Sequence, residues 1–256
     1  MMFFTRIAGQ FFRPSPEARV LKRMPLDAIN HNFHIMPKLG IVYAAIPKVG
    51  CSMLKAAFLR YHGSAETKRL KHIHNVDNQP WEHVKDRGVA DMLDRISRGD
   101  LKAVAFVRNP YARTLSCYIN QFDTSGLEGI PEGFRKRREQ LMGDADRVPT
   151  FEEFVDAVGR QSTYEMNGHW RPQTEQLLWG DIDYTFVGQL ENFDEGRVRL
   201  SDLAGHDLKP YFTRFSSHHA GSVSRTGEFY TPEIAEKVRH IYAADFETFG
   251  YGTALP

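Results

Sequence analysis

The chain has 256 residues, 41% of them hydrophobic and 25% charged, enough for a sizeable buried core and free of the bias of collagen, coiled coils or wholesale disorder. With 33 Lys and Arg against 32 Asp and Glu, the net charge is +1, so no general grip on nucleic acid is written into it and any anion site must be local. Two cysteines, Cys51 and Cys117, neither build a disulfide framework nor sit at zinc spacing, which suits a reducing compartment.

In chain order, residues 1–37 read as a loosely packed N-terminal arm, because Phe11-Phe12-Arg13-Pro14-Ser15-Pro16 stops any early helix. Its Phe pairs and basic residues offer a surface to a membrane or partner, but no run approaches the ~18 apolar residues of a transmembrane segment. Residues 38–256 are expected to form one domain. The apolar, β-branched run 41–46 predicts a strand, Pro47 to Ser52 a tight turn, and 53–60 a helix. A helix over 91–96, ending near Gly99, leads to a second strand at 103–107. Asn109 then caps a helix that Pro110 opens, with Leu115, Tyr118, Ile119 and Phe122 on its inner face. Residues 123–149 lose the pattern and carry the basic run Arg135-Lys136-Arg137-Arg138. Helices over 151–158 and 171–178, a strand over 183–188 and a last helix opened by Thr231-Pro232-Glu233 complete an α/β chain. Strands joined by helical crossovers imply a central parallel sheet flanked by helices, a three-layer, P-loop-like fold.

In such a fold, the turn from strand to helix exposes unpaired backbone N–H groups and the positive end of the helix dipole, where anions bind. Lys48 adds a point charge, Gly50 permits close main-chain approach, and Ser52 offers a hydroxyl. One Gly, with the Lys two residues before it, departs from the Gly-x-x-x-x-Gly-Lys-Ser/Thr loop of ordinary ATPases. Arg108, at the end of the second strand, and Ser116, two helical turns past Asn109, make a guanidinium and hydroxyl pair suited to a second phosphate.

Pro47-Lys48-Val49-Gly50-Cys51-Ser52 resembles the 5'-phosphosulfate loop of sulfotransferases, and the segment from Phe106 to Tyr118 resembles their 3'-phosphate motif. Asn167-Gly168-His169-Trp170, residues 182–188, Ser224-Arg225-Thr226 and residues 245–251 are similar to carbohydrate sulfotransferases of the chondroitin 4-O and HNK-1 type. The likeness spans residues 41–251. It implies 3'-phosphoadenosine 5'-phosphosulfate (PAPS) as donor, a carbohydrate hydroxyl as acceptor, and no metal. It also implies that the loop residues Pro47, Lys48, Val49, Gly50, Cys51, Ser52 and Met53 hold the 5' end, that Arg108 and Ser116 select the 3'-phosphate, and that Arg225 closes over the nucleotide. The Golgi relatives carry an N-terminal anchor and a Cys-x-x-Cys that this chain lacks, so a cytoplasmic, bacterial-type member is expected, with peripheral membrane contact through the arm. Cys51 is expected as a small packed donor rather than a nucleophile.

Sulfuryl transfer is an in-line displacement, so positioning and charge neutralisation dominate, with Lys48 as the electrophilic partner. The attacking hydroxyl needs a base. Lys71-His72-Ile73-His74-Asn75 lies between the two phosphate motifs and resembles the stretch that supplies it; His74 is favoured over His72, with His169 as runner-up. Trp170 suits either sugar stacking or core packing. Residues 123–150 are placed to form an acceptor-side lid whose four cations suit an anionic glycan. Two other readings remain: an ATP-dependent kinase, and a non-catalytic module that binds nucleotides or glycans.

Overall fold

The computed structural model describes residues 14–64, 73–123, 131–212 and 225–256. The β-branched apolar runs form β2 (Ile41–Ala44), β4 (Lys102–Val107) and β5 (Tyr184–Gln189), preceded by β1 (Phe33–Met36) and joined by the short β3 (Glu82–His83) in the order β3-β1-β2-β4-β5. β2, β4 and β5 run parallel, whereas β1 is antiparallel to both its neighbours. The expected parallel sheet is therefore a mixed one. The chain returns from β1 to β2 through a single turn at Pro37–Leu39, closed by Gly40 at φ 61°, and so short a link allows only an antiparallel return.

The loose arm expected over 1–37 is also corrected. Ser15 caps α1 (Pro16–Arg23), α2 (Leu26–Asn32) follows, and Val20, Met24, Ile29, Phe33 and Ile35 are all buried in the core. Arg19 and Arg23 hold Asp181 at 2.7 and 2.8 Å, and Arg171 donates to the Arg23 carbonyl at 3.0 Å. Residues 1–13 lie outside the described ones.

The other helices of more than one turn are α3 (Cys51–Tyr61), α4 (Val89–Ser97), α5 (Pro110–Gln121), α6 (Glu132–Met142), α7 (Phe151–Gly159), α8 (Phe193–Ala204), α9 (Pro232–Ile241) and α10 (Ala243–Thr248). One apolar cluster joins the sheet to α3, α4 and α8; a second gathers α5, α7, α9 and Trp170. The helix expected over 171–178 is a single turn at Gln173–Gln176, and part of the patternless stretch is α6. Phe106 in β4 sits against two glycines: a Cβ on Gly188 or Gly196 would lie 2.7 or 2.6 Å from its ring. Because Ile41 to Ala44 align with Lys102 to Ala105, β2 and β4 release their following loops at the same sheet edge.

Candidate active site

The loop after β2 turns into α3 with two residues in the left-handed region, Lys48 at φ 72° and Gly50 at φ 81°. A Cβ on Gly50 would press on Leu190 at 3.1 Å, so a bare backbone fits here best. No side chain caps α3, which leaves its first N–H groups facing the turn. Val49 is fully buried, while Pro47, Lys48, Cys51, Ser52 and Met53 are half-buried around it. Burial pushes the Lys48 ammonium down to about 8; Arg108 and Arg113 add to the shift, and the Cys117 and Cys51 sulfurs oppose it. It is still mostly protonated at neutral pH.

Arg108 leaves β4 at the same edge, and its Nη1 donates to the Lys48 carbonyl at 3.3 Å. Its backbone is fixed from below: Gln173 accepts from the Arg108 N–H and donates to its carbonyl, both at 2.9 Å. Buried Asp245 in turn accepts from the N–H groups of Gln173 and Thr174, both at 2.8 Å. Asn109 caps α5 through its side chain and donates its own N–H to Glu191 at 2.8 Å; the Tyr251 hydroxyl donates to the same carboxylate at 3.0 Å. Ser116 is buried on α5, three residues after Arg113 and so on the same helical face.

Arg113 was not singled out from sequence, yet it joins three segments. Only 2% exposed, it donates to the carbonyls of Pro47 at 3.2 Å, Arg171 at 2.9 Å and Gly168 at 3.2 Å. The sequence signal was its place on the face shared with Ser116.

His74 meets the β2–α3 turn directly: its Nε2 lies 2.8 Å from Ser52 Oγ. Burial, then the charges of Lys55 and His31, pushes its imidazole down to about 4. His169 follows Gly168, whose carbonyl Arg113 holds. Asn167 Oδ1 accepts both its main-chain N–H at 3.1 Å and its Nδ1–H at 2.8 Å, which leaves Nε2 as the lone-pair nitrogen. Burial, then Arg137, Lys48 and Arg113, pushes it down to about 3. His72 and Ser224 lie outside the described residues.

Other candidates separate. Arg225 pairs with Glu228 at 2.9 Å and lies over the Phe229 ring; among the described residues it makes no hydrogen bond to Lys48, Ser52 or Arg108. Trp170 is core, not a sugar platform: it is 1% exposed, packs against Phe122 and Phe154, and gives its Nε1–H to Gln161 at 2.8 Å. The four-cation patch also disperses. Arg135 pairs with Asp146, Lys136 with Glu132, and buried Arg138 donates to the Phe122 carbonyl; of the four, Arg137 is the one that, with Lys48 and Arg113, acts on His169 and Cys117. A cavity of about 260 Å³ is lined by Arg239, Phe246 and Tyr251, and none of the predicted site residues lines it.

A strand-turn-helix unit, joined through Arg108 to a second strand-helix unit, forms the candidate site of this α/β protein. The model of the sulfotransferase family matches residues 31–252, and the chain belongs to that family. It is similar to carbohydrate sulfotransferase 12 of Mus musculus, at 23% identity over 89% of this chain and 61% of that protein. Carbohydrate sulfotransferase 14 of Danio rerio is 25% identical over 82% and 59%, and carbohydrate sulfotransferase 9 of Homo sapiens 21% over 88% and 55%. The chain thus spans about three-fifths of the length of the first of these relatives. No solved structure matches it significantly.

The cytoplasmic, arm-attached expectation is withdrawn. The relatives are carbohydrate sulfotransferases, the class whose resemblance carried a Golgi location, and residues 16–36 are packed structure rather than a peripheral arm. Among the described residues no helix is long and apolar enough to cross a membrane, and that fact assigns no compartment.

Proposed function

We propose that the chain is a PAPS-dependent sulfotransferase that transfers a sulfuryl group to a carbohydrate hydroxyl through a P-loop-like cradle. The observation that carries this reading is the 3.3 Å contact from Arg108 to the Lys48 carbonyl, which brings the end of β4 against the β2–α3 turn. The fit to a bisphosphorylated donor rests on the uncapped start of α3, the main-chain surface at Gly50 that a Cβ would crowd, and two separate cationic ends.

PAPS supplies an activated sulfuryl group on a phosphate leaving group. The N–H groups of Gly50 and Cys51, with Ser52, hold the 5' end, flanked by Pro47, Val49 and Met53; Arg108 and Ser116 select the 3' end. The Lys48 ammonium neutralises the charge that grows on the departing phosphate, an interaction strongest in the transition state. His74 Nε2, beside the cradle at Ser52, takes the proton of the acceptor hydroxyl. His169, whose Nε2 is already held as a lone pair, is the second reading for the base. α6 covers the acceptor side and presents Arg137 to an anionic sugar.

The test offers ³⁵S-labelled PAPS and γ-³²P ATP side by side with a glycan panel. Label moving to sugar from the sulfate donor alone supports the reading. Movement from ATP alone replaces it with the kinase reading, and donor binding without transfer to any glycan replaces it with the non-catalytic one.

A further inference from the structure

Behind the phosphate turn, α3 carries one cation in an apolar row. Lys55 is 2% exposed among buried Leu54, Ala56, Ala57, Phe58 and Leu59. A lysine on a helix normally extends its ammonium to water; this one does not, and among the described residues no carboxylate pairs with it. Burial pushes it down to about 8, so it is still charged at neutral pH. It stands three residues after Ser52, on the same flank of the helix, and Ser52 Oγ touches His74 Nε2 at 2.8 Å.

The titratable groups facing His74 come from several elements: Lys55 from α3 and His31 from α2 act on it, while His34 of β1 and His169 respond to it in turn. Among the described residues none of these is a carboxylate. Lys55 also acts on His31 and His34, and the buried His34 Nε2 and Tyr43 hydroxyl have no hydrogen-bond partner among the described residues. A lone buried ammonium is costly to keep, and its setting here points to an electrostatic task.

We propose that Lys55 is a positioning residue for the base: its fixed positive charge keeps the His74 imidazole unprotonated when an anion docks at Ser52. Docked phosphate favours an imidazolium beside that hydroxyl, and an imidazolium has no lone pair to receive the acceptor's proton. Lys55, on the helix flank it shares with Ser52, opposes that protonation by charge repulsion. The proposal rests on the assignment of His74 as base.

The experiment is a ¹⁵N NMR titration of the histidine rings, free and saturated with adenosine 3',5'-bisphosphate, in wild type, Lys55→Met and Lys55→Arg, together with the pH profile of kcat. Wild-type His74 is expected to be unprotonated at pH 6.5 in both states. Lys55→Met should raise its midpoint by about one pH unit, more when loaded, and carry the acid limb of kcat with it; Lys55→Arg should restore both. An unmoved midpoint in folded Lys55→Met overturns the proposal. So does a loaded wild type already protonated at His74 at pH 6.5, a result that needs no variant to fold. A midpoint that moves while the acid limb stays put leaves the electrostatic effect of Lys55 intact and overturns the assignment of His74 as base.

Discussion

Arg108 Nη1 donates to the main-chain carbonyl of Lys48 at 3.3 Å, across 60 residues of sequence. The side chain proposed to choose the 3'-phosphate thus also steadies the turn that carries Lys48. Arg108→Ala should weaken adenosine 3',5'-bisphosphate by ~1.5–3 kcal/mol, the scale of a lost charged hydrogen bond, and leave AMP nearly unchanged in calorimetry. Equal losses for the two nucleotides would place the role of Arg108 in the turn rather than at the 3' end.

At Lys48 the backbone and the ammonium make separable contributions. Lys48→Ala should lower kcat by about 10²–10³-fold with a small change in donor affinity. Lys48→Gly should be as inactive, yet more stable than the alanine variant by ~1 kcal/mol in urea denaturation, because glycine accepts φ 72° without strain.

Removing Arg113 strips donors from the carbonyls of Pro47, Gly168 and Arg171 at once. Arg113→Leu should cost about 3 kcal/mol or more in chemical denaturation. Lysine, lacking the planar fork, should recover only part of it.

The folded chain holds His74 and His169 at about 4 and about 3, below the ordinary imidazole value of 6.5. Between those values and 6.5 the unfolded chain binds protons that the folded one refuses, so stability rises with pH there and is lost on acidification from about pH 6.5 downwards. Urea midpoints measured from pH 7 to pH 4 should show this slope, and His169→Asn should flatten it.

Trp170→Ala should destabilise by ~3–5 kcal/mol as a core truncation. In Trp170→Phe the acceptor KM should stay at its wild-type value, whereas a rise would restore the sugar-stacking role.

Local signals made the β2-turn-α3 and β4-α5 units legible: a β-branched run, then Gly50 or Asn109-Pro110 at the helix start. The order of residues 16–36 was hidden because Pro14, Pro16 and Pro25 break the pattern and the partner that pins α1, Asp181, is remote in sequence. Arg113 and Lys55 were passed over because buried charges run against the ordinary preference for exposure. The run from Arg135 to Arg138 misled for a geometric reason: successive helical residues turn about 100° apart, so adjacent cations do not share a face.

The ring of Phe106 occupies a recess that exists only because Gly188 and Gly196 have no side chains. β4 is keyed against its neighbours there, and Arg108 emerges two residues later with its starting point set by this apolar contact together with the Gln173 hydrogen bonds to its backbone. A single methyl at Gly196 would therefore re-aim a charge it never touches, by displacing the ring that anchors the strand before it.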